Sequence, residues 1–248
     1  MNRHWIFDLD DTLVECRAHF LAAERGFMHA FRNHPAGITP EAARKVLREE
    51  NLRRLHAREF HPEAVLRAHK AALDRLFALS PVPPEVREAV LAAGEIPLRA
   101  QYRILPGAID ALETLARKDV RLGCLTLGDP DFQMTKLRRA GLAGYFDSVR
   151  VVRRRKTPAV FRGLARRIGG SNATMVGDSL TDDMRPALLA GCRAVWIEHA
   201  PTERRLDDRE VGPDALDLFA RLRSVAEVPR ILERILARGR GSGTPLSR

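Results

Sequence analysis

The stretch Trp5-Ile6-Phe7-Asp8-Leu9-Asp10-Asp11-Thr12-Leu13 limits the possible folds more than any other part of the chain. An apolar run of strand length that breaks off into three carboxylates reads as a buried parallel strand. Strands covered on both faces are continuous in apolar side chains, and open α/β sheets bind their ligands beyond the carboxyl ends of the strands. Acids this close repel one another unless a proton or a cation separates them. The tip therefore calls for a divalent metal with oxygen ligands, Mg²⁺ by preference. The plainer alternative is a strand that enters an acidic, solvated turn.

After Leu13 the pattern turns helical and stays so until about residue 101. Phe20, Leu21, Glu24, Phe27, Met28 and Phe31 share one face at helical spacing, and Pro35-Ala36-Gly37 ends that helix. Thr39 and Pro40 supply an N-cap and a first-turn proline for a second helix, to about Ala57. Pro62 opens a third, with Val65, Leu66, His69, Leu73, Leu76 and Phe77 as its stripe. Pro81-Val82-Pro83-Pro84 breaks the run, and a short helix is expected to follow as far as Gly94. His56, His61 and His69 show no spacing that matches a helical metal pair, so they read as core or surface histidines.

From Tyr102 helices and strands alternate. Leu105-Pro106-Gly107 opens a helix with Ile109, Leu112, Leu115 and Ala116 on one side, and residues 120–127 form a strand. Residues 133–140 read as helix, 148–152 as strand, 158–168 as helix and 173–176 as strand. A helix to Ala190 and a strand over 194–197 complete the alternation. Such a pitch means βαβ units and a parallel sheet. Residues 202–212 read as a charged loop, and Ser224 with Glu227 as a capping box for a last helix to about Leu236, with Ile231, Leu232, Ile235 and Leu236 turned inward. The fold class is α/β, a Rossmann-like parallel sheet with an inserted all-helical domain. The expected domains are a core over 1–13 and 102–237, a helical insertion over 14–101, and a flexible tail over 238–248.

Composition narrows the function. Cys16, Cys124 and Cys192 are few, odd in number and scattered, which points to reduced thiols. No stretch of about 18 uncharged apolar residues occurs and the start runs straight into the first strand, so a soluble, cytoplasmic protein without membrane contact is expected. The net charge of +10 would suit a polyanionic partner, but the arginines are dispersed and aromatics make up only 6% of the chain. A nucleic-acid partner is therefore not expected.

Four strand ends carry polar groups: Asp8 and Asp10, Thr126, the Lys156 region, and Gly177-Asp178-Ser179-Leu180-Thr181-Asp182-Asp183. In a parallel sheet these ends lie on one edge, so residues remote in sequence can converge there. On these residues the chain resembles the haloacid dehalogenase superfamily, of the phosphatase type, with a helical C1 cap inserted just after the first strand. The resemblance runs from residue 1 to about 235 and covers all four family motifs in order.

The resemblance implies phosphoryl transfer through an aspartyl-phosphate, with Asp8 as nucleophile and Asp10 as the acid that protonates the leaving oxygen and then activates water. It makes Thr126, Leu127 and Gly128 the cradle of the phosphoryl oxygens, and Lys156 the cation that offsets charge on Asp8 and the phosphoryl group. Arg155 is the substitute for Lys156, since Arg153, Arg154 and Arg155 precede it. Mg²⁺ would be held by Asp8, the Asp10 carbonyl and Asp178 directly, with Asp183 joining through water or as an outer partner and Asp182 competing for that role. Family members that cleave carbon–halogen bonds generally lack the second aspartate, so Asp10 favours a phosphatase. The cap implies a small phosphorylated metabolite as substrate, with Glu15, Arg17 and His19 as candidates by position alone. A phosphomutase of the same fold is an alternative, and so is a basic-surface binding protein with weak catalysis.

Overall fold

A computed structural model describes residues 3–32, 37–57, 63–170, 173–199, 214 and 216–240, without the side chains of residues 55, 56 and 236–240. The described chain resolves into two compact units. One comprises Met1–Glu15, Arg103–Leu127 and Gln133–Arg248; the other comprises Cys16–Tyr102 with Gly128–Phe132.

The first unit is built on a parallel sheet of six strands: β1 (His4–Phe7), β2 (Arg121–Leu127), β3 (Ser148–Val152), β4 (Thr174–Gly177), β5 (Arg193–Ile197) and β6 (Ala220–Leu222). Their order is β3-β2-β1-β4-β5-β6, every pairing is parallel, and β1 lies between β2 and β4. The reversal of strand order beside β1 is where such sheets open a crevice for ligands. Alternation along β1 divides the core into two layers. Trp5 and Phe7 pack with Leu112, Leu115 and Ile231, whereas Ile6 packs with Phe161, Met175 and Trp196. Both faces of β1 are covered, which is why its sequence is apolar without a break.

The chain leaves and re-enters this unit side by side. Leu105 donates its N–H to the carbonyl of Leu13, and Glu15 donates to that of Arg103, so an insertion can be accommodated without disturbing the sheet. Between β1 and this exit the chain folds into a tight turn. Leu13 and Val14 both donate to the carbonyl of Leu9, and Asp11 takes a positive φ of 58°, a conformation aspartate tolerates better than most residues.

The second unit holds α1 (Arg17–His29), α2 (Pro40–His56), α3 (Ala64–Leu76) and α4 (Pro84–Arg99) around Phe27, Phe31, Leu47, Leu73, Phe77 and Val90. Thr39 caps α2 by accepting the Ala42 N–H. Two expectations need correction here. Phe20 does not share the buried face of α1 and stands 45% exposed. Gly94 does not end the fourth helix, which continues to Arg99 through Pro97. Gly94 is instead a contact point, where a Cβ would lie 3.0 Å from the Cα of Leu66 on α3. His69 is a core histidine, with Nδ1 2.8 Å from the Val65 carbonyl.

The remaining helices are α5 (Ala108–Ala116), α6 (Pro130–Arg139), α7 (Pro158–Arg167), α8 (Arg185–Leu189) and α9 (Val228–Arg240). The buried face of α5 is Ala108, Ala111, Leu112 and Leu115, while Ile109 and Ala116 are exposed, contrary to the expected stripe. α6 starts three residues before the expected Gln133, because the Asp129 carboxylate accepts the N–H groups of Asp131 and Phe132. β6, only three residues long, gave no sequence signal. The capping box of Ser224 and Glu227 forms, and it leads through a short turn into α9. That helix reaches Arg240, so residues 238–240 are helical; the rest of the expected tail lies outside the described residues. The helix break at Pro35-Ala36, His61, Pro62 and the loop over 202–212 also lie outside them, as does the side chain of Leu236. All three cysteines are buried and free. Among the described residues no helix is long and apolar enough to cross a membrane.

Candidate active site

Three carboxylates converge at the carboxyl edge of the sheet. Asp8 is the residue after β1, its N–H still bound to the Val176 carbonyl at 2.9 Å, and its side chain is buried. Asp178 follows β4, and its carbonyl accepts the indole N–H of Trp196 at 2.8 Å. Asp183 arrives from the π-helical turn Leu180–Met184. There Ser179 Oγ accepts the Asp182 N–H at 3.0 Å and Asp183 Oδ2 accepts the Ser179 N–H at 3.1 Å. These bonds fold the turn back over the end of β4. As a result Asp8, Asp178 and Asp183 each offer an oxygen within 4.8 Å of the others.

Lys156 supplies the cation. It stands between β3 and α7, the latter capped by Thr157, and its Nζ donates to Asp8 Oδ1 and Asp183 Oδ1, both at 2.5 Å. Burial alone would lower the pKa of this ammonium, but Asp183 and Asp8 outweigh it and hold the lysine above its ordinary value. The same burial pushes the Asp8 carboxyl up from 3.8 to about 7, against the pull of Lys156 and with the help of Asp183 and Asp10. One ammonium does not neutralise three buried carboxylates. The ammonium together with a hard divalent cation would, and an all-carboxylate donor set matches Mg²⁺ chemistry.

Asp10 belongs to a second, adjoining group. Its carboxylate stands outside the three-acid cluster: Oδ1 accepts from Lys136 Nζ at 2.7 Å and Oδ2 from Gln133 Nε2 at 2.9 Å. Thr126, buried at the end of β2, accepts from the same Gln133 amide at 2.5 Å, and the Leu127 carbonyl accepts from it at 3.1 Å. Gly128 follows Leu127 directly in the chain. Of the two pairs of alternatives left open by the sequence, Lys156 and Asp183 meet at the cluster. Arg155 and Asp182 meet each other instead, 3.4 Å apart.

Sequence reasoning passed over Gln133 and Lys136. A trace was there, since both are polar residues one helical turn apart on the helix that follows Thr126, but nothing marked that face as buried. His199 was passed over too. It lies two residues beyond β5, with Nε2 2.9 Å from the Asp11 carbonyl and 3.8 Å from Asp178 Oδ2.

Buried carboxylates and a lysine gathered beyond the carboxyl ends of a parallel sheet define an enzyme site for anion chemistry, with three acids placed so that they could hold a metal. The family is narrower still: residues 3–191 match the haloacid dehalogenase-like hydrolases, and the chain belongs to that family. A phosphoserine phosphatase from Thermus thermophilus is 32% identical over 241 residues, 84% of this chain and 92% of its own. A glyceraldehyde 3-phosphate phosphatase from Methanothermobacter thermautotrophicus is 26% identical over 82% of this chain and 89% of its own. Among solved structures, a haloacid dehalogenase-like family hydrolase from Xanthomonas campestris aligns with a TM-score of 0.72 over 96% of this chain and 93% of its own. At 20% identity that likeness concerns the fold. The helical insertion between β1 and β2 has the position of a C1 cap.

Proposed function

We propose that the protein is a Mg²⁺-dependent phosphatase that hydrolyses a small phosphorylated metabolite through an aspartyl-phosphate on Asp8. The observation that carries this reading is the place of Asp8. Its carboxylate is buried, held by Lys156, and grouped with Asp178 and Asp183 where a cation would be shared. The relatives named for phosphoserine and glyceraldehyde 3-phosphate support a compact phosphate monoester as the substrate class.

In this reading an Asp8 oxygen attacks phosphorus while the bond to the leaving oxygen breaks, and that oxygen takes a proton from Asp10. Water then attacks the phosphorus of the aspartyl-phosphate, Asp10 recovers a proton from the water, and Asp8 is released with inorganic phosphate. A positioned acid and base of this kind is worth roughly 10²- to 10⁴-fold. Thr126 and the backbone around Leu127 and Gly128 orient the phosphoryl oxygens, and Lys156 offsets the charge that accumulates beside Asp8. Mg²⁺, held by Asp8, Asp178, Asp183 and the Asp10 carbonyl, would neutralise the phosphoryl oxygens when bound.

The purified protein should release inorganic phosphate from p-nitrophenyl phosphate or acetyl phosphate when Mg²⁺ is added and lose that activity with excess chelator. Asp8→Asn should abolish turnover while the far-ultraviolet circular dichroism stays unchanged. An Asp8→Asn protein that retains full activity sinks the mechanism. Transfer to a sugar phosphate with little net phosphate release would replace it with a mutase.

A further inference from the structure

We infer that Gln133 and Lys136 are positioning residues that aim the Asp10 carboxyl at the leaving oxygen and fix its distance from the phosphoryl cradle at Thr126. The inference rests on the proposed role of Asp10 as acid and base.

Both oxygens of Asp10 are engaged by side chains of one helix: Oδ1 by Lys136 and Oδ2 by Gln133, at 2.7 and 2.9 Å. Two contacts on opposite oxygens restrain both side-chain torsions of an aspartate, which a single contact does not. Gln133 and Lys136 lie one turn apart on α6, so they face the same way. Neither is an ordinary surface residue, being 2% and 5% exposed. A lysine is rarely buried so deeply unless a carboxylate offsets its desolvation.

The Gln133 amide also does more than hold Asp10. Its nitrogen carries two hydrogens and stands within 3.1 Å of three acceptors, Asp10 Oδ2, Thr126 Oγ1 and the Leu127 carbonyl. One side chain thus ties the acid to the hydroxyl that would cradle the phosphoryl group. Their separation is set by α6 as well as by the hydrogen-bonded turn after β1. Misplacement of a reacting group by about 1 Å can cost on the order of 10²-fold in rate. A positioning device at this point should therefore show itself when the acid is most needed.

The test compares phenyl phosphate with p-nitrophenyl phosphate, which have similar shapes but differ in how much their leaving oxygen needs a proton. Single-turnover release of the phenol isolates the first chemical step. Lys136→Met and Gln133→Met should each slow release from phenyl phosphate by about 10²-fold and from p-nitrophenyl phosphate by no more than about 10-fold. Lys136→Arg, which keeps the charge, should restore part of the difference. Equal losses on the two substrates, or no loss, would overturn the inference. If Lys136→Met does not fold, Gln133→Met decides alone, since it removes no charge. Asp10→Asn separates the two levels of the claim. If it fails to discriminate between the substrates, the acid role of Asp10 is wrong; if it discriminates and both Met variants do not, only the positioning claim is wrong.

Discussion

Gly177 and Asp183 leave no room for each other to change: a Cβ on Gly177 would lie 2.6 Å from the Cγ of Asp183. The Asp183 carboxylate is folded back across the end of β4, and the backbone of Gly177 is the surface it rests on. Gly177→Ala should therefore displace Asp183 from the three-acid cluster rather than unfold the sheet. We expect Mg²⁺ affinity to fall by about 10- to 100-fold, the range seen when a metal site loses its outer support. Calorimetric Mg²⁺ titration checks this, with circular dichroism as the control for folding. Unchanged affinity would mean that Asp183 does not serve the metal.

Lys156 is the buried counter-ion of the same cluster, 2.5 Å from both Asp8 and Asp183. Lys156→Met leaves those carboxylates without their ammonium, and removing one partner of a buried ion pair costs about 3–5 kcal/mol. Urea unfolding without divalent cations should show a loss of that size. Saturating Mg²⁺ should recover a good part of it, because the added cation neutralises the same acids and binds only the folded state. A loss that Mg²⁺ leaves untouched would place the metal elsewhere. Lys156→Arg is not a conservative substitute, since a planar guanidinium cannot occupy a point between two carboxylates in the way an ammonium does.

Lys156 marks the boundary of what was legible in the sequence. Asp8 and Asp178 stand directly after apolar strands, so the strand pattern alone put them on one edge. Lys156 follows three arginines, and no pattern distinguishes a buried cation from the end of a solvated charge run. That distinction needs the fold, which turns Arg155 toward Asp182 and Lys156 toward Asp8. Gln133 and Lys136 were illegible for a related reason: polar residues on a helix look solvated until something is packed against them. β6 was missed because three residues are too few for a period of two, and its pairing depends on β5 rather than on its own sequence. Gly94 misled because glycine both ends helices and lets them approach closely.

His69 makes the helical unit sensitive to acid. Burial among Phe27 and its neighbours lowers its pKa below 6.5, against the two backbone carbonyls of Ala23 and Val65 that favour the charged form. The folded pKa thus lies below the unfolded one, and the unfolded chain binds more protons wherever the imidazole is charged only there. Stability contributed by neutral His69 is present above pH 6.5 and is lost as the pH falls from 6.5 toward the folded value. The loss deepens by at most about 1.4 kcal/mol for each pH unit across that window. Urea unfolding of the full chain at several pH values, compared with His69→Leu, should show a shallower slope for the variant between pH 5 and 7. Parallel slopes would refute the assignment.

Gly94→Ala sets two effects of opposite sign against each other. In the middle of α4 alanine should gain roughly 0.5–1 kcal/mol over glycine, because it restricts the unfolded chain and favours helix. Against this, the new methyl would stand 3.0 Å from both the Cα and a terminal methyl of Leu66, and 3.2 Å from Cγ of the His69 ring. The Leu66 methyl could rotate away. The Leu66 backbone is fixed in α3, and the His69 ring is anchored through Nδ1 at the Val65 carbonyl, so neither yields cheaply. Overpacking of this kind costs about 1–3 kcal/mol and outweighs the gain in propensity. The expected result is a net loss of about 1 kcal/mol or more in denaturant unfolding. Mg²⁺ affinity at Asp8, Asp178 and Asp183 should not change, since α3 and α4 belong to the other compact unit. A more stable Gly94→Ala protein would show that α3 and α4 can separate freely, and that Gly94 is not needed for their contact.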